Sequence, residues 1–115
     1  MIYTASSLSL AVLEYFVHLP AAMRQRDRLP DLIAVALDLR DDAVETLTLS
    51  GTLSLQDTRA TGDNWISSRR SLGLSVPSRL IPLERNLLLN ATHLLIGQVS
   101  VALQLPFQFD DWLGI

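Results

Sequence analysis

The chain has 115 residues, of which 49% are hydrophobic and 18% charged, and its formal net charge is −3. A chain of this length fits one domain and can bury a core without covalent staples. The acidic balance provides no basic surface for nucleic acid, and the absence of cysteine excludes disulfides, thiolate metal sites and thiol catalysis. We therefore expect one globular domain over residues 1–115, in a composition that fits a reducing compartment.

The first 23 residues predict a short strand and a mostly hydrophobic helix. Ile2–Thr4 is typical of a strand, and Ser6 or Ser7 can cap the helix because a serine oxygen accepts a free backbone N–H. Apolar residues then follow helical spacing up to Pro20, which ends the helix. They leave so little polar surface that we expect this helix to be central in the fold.

Glu14 is the one formally charged side chain in this segment. Burying a carboxylate is costly unless something compensates it, so Glu14 either has a structural partner or serves chemistry. His18 follows one helical turn later, a spacing that favours a hydrogen-bonded pair over two ligands of a metal.

The same segment argues against membrane insertion and secretion. No stretch reaches the ~18 uncharged apolar residues that span a bilayer. A signal peptide would need a basic start, and Glu14 falls where its apolar core should continue. We therefore expect a cytoplasmic protein that does not insert into a membrane.

Three further segments follow in chain order. Leu32–Leu37 is a continuous apolar run, which predicts a strand covered on both faces. Leu47–Leu55 alternates leucine with threonine and serine, which predicts strands joined by a bulge or turn near Ser50-Gly51. Residues 57–70 mix turn formers with Trp65 and favour a short helix.

The remaining segments complete an α+β pattern. Leu74–Ile81 predicts a strand that Pro77 interrupts, which suits a sheet edge or a bulge. In Val99–Phe109 large apolar residues alternate with smaller or polar ones, which predicts a half-buried strand. We expect an α+β fold with a mixed, largely antiparallel sheet and a central helix.

Several polar residues stand out by context, although the usual catalytic motifs are absent. Tyr3 ends the first strand, Ser78 follows Pro77, and Asn86 and Asn90 bracket three leucines. Taken singly, each has an ordinary interpretation at the rim of the core or in a turn. His93 lies in a loop-like stretch, where a structural or surface role is the default.

The order of five short segments resembles that of the RES-domain family, which is named for an arginine, a glutamate and a serine. The segments are Tyr3-Thr4-Ala5-Ser6-Ser7 with Glu14, Gly62-Asp63-Asn64-Trp65, Val76-Pro77-Ser78, Pro82-Leu83-Glu84-Arg85-Asn86 with Asn90-Ala91-Thr92-His93, and Phe107-Gln108-Phe109-Asp110. This family supplies the toxins of many bacterial toxin–antitoxin pairs.

The resemblance implies a fold like that of the ADP-ribosyltransferase toxins and an activity that cleaves the nicotinamide–ribose bond of NAD+, by hydrolysis or phosphorolysis. It assigns Glu14 and Ser78 to catalysis and Tyr3, Asn86 and Asn90 to NAD+ binding. NAD+ would be a substrate, with no metal and no separate cofactor. The implied partner is an Xre-type antitoxin protein, and a homo-oligomer is a further expectation.

The chain also departs from the family pattern. The family has an arginine, then a motif with Arg-Trp, before the strand that ends in the tyrosine, and Arg24, Arg26 and Arg28 come too late to match it. Asn90-Ala91 replaces the usual Asn-Pro. We therefore expect an N-terminally incomplete RES domain, for which an inactive module that binds an antitoxin or another copy is the alternative. A third hypothesis is a plain α+β domain in which Glu14 is ion-paired internally.

Overall fold

A four-stranded sheet and a separate pair of strands make up the β structure of the described part of the chain. The computed structural model describes residues 1–24, 29–47 and 55–108. Its strands and α-helices are β1 (Ile2–Ala5), α1 (Leu8–His18), β2 (Leu32–Asp38), β3 (Val44–Thr46), α2 (Leu55–Ser68), β4 (Gly73–Pro77), β5 (Arg85–Leu89) and β6 (Ser100–Phe107). None of the helices in these described ranges is long and apolar enough to cross a bilayer.

The larger sheet has the strand order β1-β5-β4-β3. β1 pairs antiparallel with β5 and β5 with β4, whereas β3 and β4 are parallel. β2 and β6 form a second, antiparallel sheet whose register shifts between Ala36 and Leu37. The predicted α+β class with a mixed, largely antiparallel sheet is therefore confirmed.

Helix α1 follows β1 directly, as the sequence predicts. Ser7 is its N-cap, with an extended backbone and an Oγ that accepts the backbone N–H of Leu10 at 3.1 Å. Leu10 and Glu14, four residues apart, are its buried residues. One narrow stripe of α1 therefore faces the protein interior.

The expectation that α1 has almost no solvent face is wrong. Leu8 is 51% exposed, and Leu13 and Tyr15 are each 40% exposed. These side chains lie away from the Leu10–Glu14 stripe. An apolar composition around the whole helix therefore does not by itself place every face in the core.

The core lies around Trp65, on α2. Trp65 is fully buried and packs with Leu74 and Leu88 from β4 and β5. Its Nε1 donates to Ser71 Oγ at 2.8 Å, so its polar atom is satisfied. The helix predicted within residues 57–70 is confirmed. A second cluster contains Ala43, Leu72 and Leu89.

Pro77 ends β4 and does not interrupt a longer strand, so the strand predicted over Leu74–Ile81 is confirmed only as far as Pro77. β4 lies between β5 and β3, and Pro77 is its last residue. The described β3–β4 pairs run from Gly73 to Ser75, so the missing N–H of Pro77 removes none of the described bonds of that ladder. The Leu47–Leu55 alternation lies largely outside the described residues, and Leu55 begins a helix instead of continuing a strand.

Strand β2 was predicted to be buried on both faces, but in the described structure it is not. Ile33 is 63% exposed and Val35 50% exposed. The predicted strand near the C-terminus is confirmed over Ser100–Phe107, but Val101 and Leu103 are also more than half exposed. In the described structure β2 and β6 pair with each other and not with the larger sheet, and both keep apolar side chains at the surface.

Candidate functional site

The carboxylate of Glu14 is buried between α1 and the ends of β4 and β5. Its Oε1 accepts the hydroxyl of Ser78 at 2.8 Å, and its Oε2 accepts Asn86 Nδ2 at 2.9 Å. Ser78 is 2% and Asn86 1% exposed, so both donors are as sheltered as the carboxylate itself. Two neutral donors therefore compensate the buried charge.

The hypothesis of an internal ion pair at Glu14 is wrong for the described part of the chain. No lysine, arginine or histidine within these residues lies in salt-bridge contact with the carboxylate. His18 is exposed at the end of α1, and no hydrogen bond joins it to Glu14 among the described residues. Among the described residues the Glu14 carboxylate is thus held in place by neutral donors and not by a cation.

Ser78 is oriented by the turn that follows β4. Its Oγ accepts the backbone N–H groups of Leu80 and Ile81 at 3.2 and 3.1 Å. Its own backbone N–H donates to the carbonyl of Glu84 at 2.8 Å. With two donors already directed at the oxygen, its hydroxyl hydrogen points to Glu14.

Asn86 is fixed by its place inside the sheet. It is paired with Ala5 of β1 on one side and with Val76 of β4 on the other. Its Nδ2 donates to the carbonyl of Thr4 at 3.2 Å as well as to Glu14. Its buried Oδ1 has no hydrogen-bond partner among the described residues.

Tyr3 lies on β1 beside the carboxylate, and its ring is partly open to solvent. Burial raises the pKa of Tyr3, and the negative charge of Glu14 and hydrogen bonding with it raise the pKa further. The phenol is therefore neutral at and well above neutral pH, and its O–H remains a donor.

A cavity of about 830 Å³ opens beside this cluster. Its wall contains Tyr3, Glu14, Tyr15, His18 and Arg79. Among the described residues no group of three or more side chains could hold a metal ion. The cavity thus combines one buried carboxylate with aromatic rings and a guanidinium, a set suited to binding and polarising an organic ligand.

The structure does not bring Asn90 to this cluster. Its Nδ2 donates to the carbonyl of Ile66 at 3.2 Å, and its Oδ1 accepts the backbone N–H and hydroxyl of Thr92. These contacts are those of a turn residue, and its assignment to NAD+ binding stays a prediction. His93 caps a short 3₁₀ helix by accepting the N–H of Leu95, which confirms a structural role.

Sequence reasoning did not single out two residues of the cavity wall, Tyr15 and Arg79. Tyr15 follows Glu14 in an apolar helix, where a tyrosine ordinarily packs against other apolar side chains. Arg79 follows Ser78, and that adjacency was the available signal. Neither position stands out by local pattern alone.

The chain also matches a known protein family. The family described as "RES domain" matches residues 1–110. The chain belongs to the RES-domain family. The resemblance inferred from the order of its short segments is thereby confirmed. The assignment of Glu14 and Ser78 to the glutamate and serine of the family's motif stays a prediction.

Two curated relatives of this RES domain are both named "Toxin Res". The protein from Yersinia enterocolitica is 34% identical over 120 residues, which cover 97% of this chain and 76% of the relative. The protein from Photorhabdus laumondii is 30% identical over 96 residues, which cover 77% of this chain and 59% of the relative. The chain is thus shorter than both relatives.

Proposed function

We propose that this RES domain is the toxin of a toxin–antitoxin pair and degrades NAD+ by cleaving its nicotinamide–ribose bond. The observation that carries the proposal is the buried Glu14 carboxylate, held by Ser78 and Asn86 at the wall of an open cavity. The names of the two relatives support the toxin assignment.

The electrostatics of Glu14 suit this reaction. As the glycosidic bond breaks, the ribose takes on oxocarbenium character, and a nearby carboxylate stabilises that developing positive charge. Because no cation among the described residues neutralises Glu14, its charge remains available to a substrate. Its burial keeps the local dielectric low, which strengthens the interaction.

The proposed cleavage of NAD+ needs no cofactor, because the bonds broken and formed involve only NAD+ and the acceptor. Nicotinamide leaves as a neutral base with the electron pair of the broken bond. Water or phosphate then forms a bond to the ribose carbon, and with water one proton is released and ADP-ribose is the product. NAD+ is the substrate of this reaction.

The neighbours of Glu14 have distinct parts in this proposal. Ser78 and Asn86 occupy its two oxygens and so fix the direction in which the carboxylate faces the cavity. Tyr3 offers a partly exposed ring that can stack on the flat nicotinamide, and its neutral hydroxyl lies beside the carboxylate. The proposed roles of these residues therefore follow from contacts around one group.

The proposed partner is an Xre-type antitoxin protein that blocks the cavity, in the cytoplasm where NAD+ is available. A second candidate function is a non-catalytic module that binds an antitoxin or another copy of itself. The apolar surface of β2 and β6 favours this candidate, because Ile33, Val35, Val101 and Leu103 are all at least half exposed.

Incubation of the purified chain with NAD+, with and without phosphate, tests the proposal. We expect nicotinamide release, followed by chromatography, and a second product whose mass identifies the acceptor. ADP-ribose indicates water, and its phosphorylated form indicates phosphate. Absence of nicotinamide in both buffers, from folded protein, would refute the enzymatic proposal and favour the binding module.

A further inference from the structure

Arg79 is the feature of the cavity that the proposed chemistry at Glu14 does not use. Arg79 lines the same cavity as Glu14 and is exposed. Among the described residues it has no hydrogen bond or ion pair. In contrast, four other described arginines have side-chain hydrogen bonds to protein groups: Arg24, Arg40, Arg70 and Arg85.

The backbone next to Arg79 is well fixed. Ser78 is held by Glu14 on one side and by two backbone N–H groups on the other. The turn that carries Arg79 therefore has a defined position relative to the carboxylate. A free guanidinium on such a turn can bind an anion at low cost in backbone order.

Two residues of opposite charge, Glu14 and Arg79, thus line one cavity. NAD+ has the complementary order of charge, because its nicotinamide ring is positive and its diphosphate, beyond the first ribose, is negative. A molecule that places the ring and ribose at Glu14 directs its diphosphate away from the carboxylate. Arginine is suited to that group because its planar fork donates two parallel hydrogen bonds to phosphate oxygens.

We propose that Arg79 binds the diphosphate of the substrate and so sets which end of the dinucleotide lies at Glu14. This inference rests on the proposed function and deepens it, since it names a nucleoside diphosphate group as the ligand of a particular side chain. Arg79 is a specificity residue in this account. It contributes to affinity and orientation, and the bond cleavage itself belongs to Glu14.

Binding measurements on the full chain test the inference without requiring turnover. Isothermal titration of wild type, Arg79→Ala and Arg79→Lys with ADP-ribose and with adenosine compares a ligand that has the diphosphate with one that lacks it. We expect Arg79→Ala to weaken ADP-ribose binding about 10- to 100-fold, the range for a charged hydrogen bond. Arg79→Lys should retain part of the affinity, and adenosine binding should not change.

Arg59→Ala is the matched control. Arg59 is an exposed arginine on α2 and is not part of the cavity wall, so this variant loses the same charge elsewhere. We expect its affinity for ADP-ribose to equal that of wild type. Circular dichroism of each variant would confirm that the exposed substitutions leave the fold intact.

Kinetics then separate this inference from the proposed function. With NAD+, Arg79→Ala should raise KM and largely retain kcat, whereas turnover of nicotinamide riboside, which has no phosphate, should not change. Nicotinamide release that is equal in wild type and Arg79→Ala at low NAD+ would overturn the role of Arg79 alone. ADP-ribose binding that depends on Arg79 without any nicotinamide release would uphold this role and refute the proposed reaction. Equal ADP-ribose affinity in wild type and Arg79→Ala, or its absence in wild type, would overturn the inference.

Discussion

Replacing Ser78 by alanine removes the most highly connected hydroxyl of the candidate site. The hydrogen bond from its Oγ to the buried Glu14 carboxylate is 2.8 Å long, and such a bond to a charged group contributes about 1.5–3 kcal/mol. The N–H groups of Leu80 and Ile81 also lose their acceptor, but these residues are partly exposed and water can replace it. We therefore expect Ser78→Ala to lower the free energy of unfolding by about 2–4 kcal/mol.

Urea denaturation measures this change, with Trp65 as a reporter because it is fully buried in the core. Ser9→Ala is a suitable control, since Ser9 is an exposed residue of α1, and it should change stability by less than about 0.5 kcal/mol. In a Glu14→Gln background the loss caused by Ser78→Ala should be smaller, because the charged acceptor is gone. An equal loss in both backgrounds, or a loss no larger than that of Ser9→Ala, would refute the hydrogen bond as the source of stability.

Two further predictions concern ionisation and backbone. The chain has two tyrosines, so in a Tyr15→Phe variant the absorbance titration at 295 nm reports Tyr3 alone. The midpoint of this titration should lie above the ordinary tyrosine pKa of about 10. The neutral phenol of Tyr3 is therefore lost only as the pH rises through that higher value. Adding Glu14→Gln should lower that midpoint, and a midpoint that does not respond would contradict the proximity of the two groups. Gly62→Ala should stabilise the chain by about 0.5–1 kcal/mol in thermal unfolding, because Gly62 lies within α2 and an added Cβ would meet nothing within 4 Å. Gly73→Ala should destabilise it, because its Cβ would come within 3.1 Å of a neighbouring side chain, and equal effects of the two substitutions would contradict this packing.

Local signals in the sequence predicted the first part of the fold well. The strand at Ile2–Ala5 and the cap at Ser7 depend on residues next to one another, and both lie where the sequence indicates. The solvent exposure of α1 and β2 could not be predicted from neighbouring residues in the sequence. It depends on which elements pack against them, and an apolar run looks the same whether it is covered or open.

The site itself depends on contacts between distant positions. Ser78 and Asn86 are 64 and 72 residues from Glu14 in the chain, and only the family resemblance indicated that they would meet. The same resemblance placed Asn90 at the site, whereas its side chain has the contacts of a turn residue. Arg79 was missed because a single arginine after a serine has no distinctive pattern. Only the structure shows that Arg79 lines the same cavity as Glu14.

We expect the Glu14 carboxylate to provide the chemistry of this RES domain. The most direct measurement is the rate of nicotinamide release from NAD+ by wild type and Glu14→Gln, at equal concentrations of protein shown to be folded by circular dichroism. Glutamine keeps the size of the side chain and removes its charge, so loss of transition-state stabilisation should lower the rate at least about 100-fold. Nicotinamide release at equal rates by the two proteins would contradict the claim.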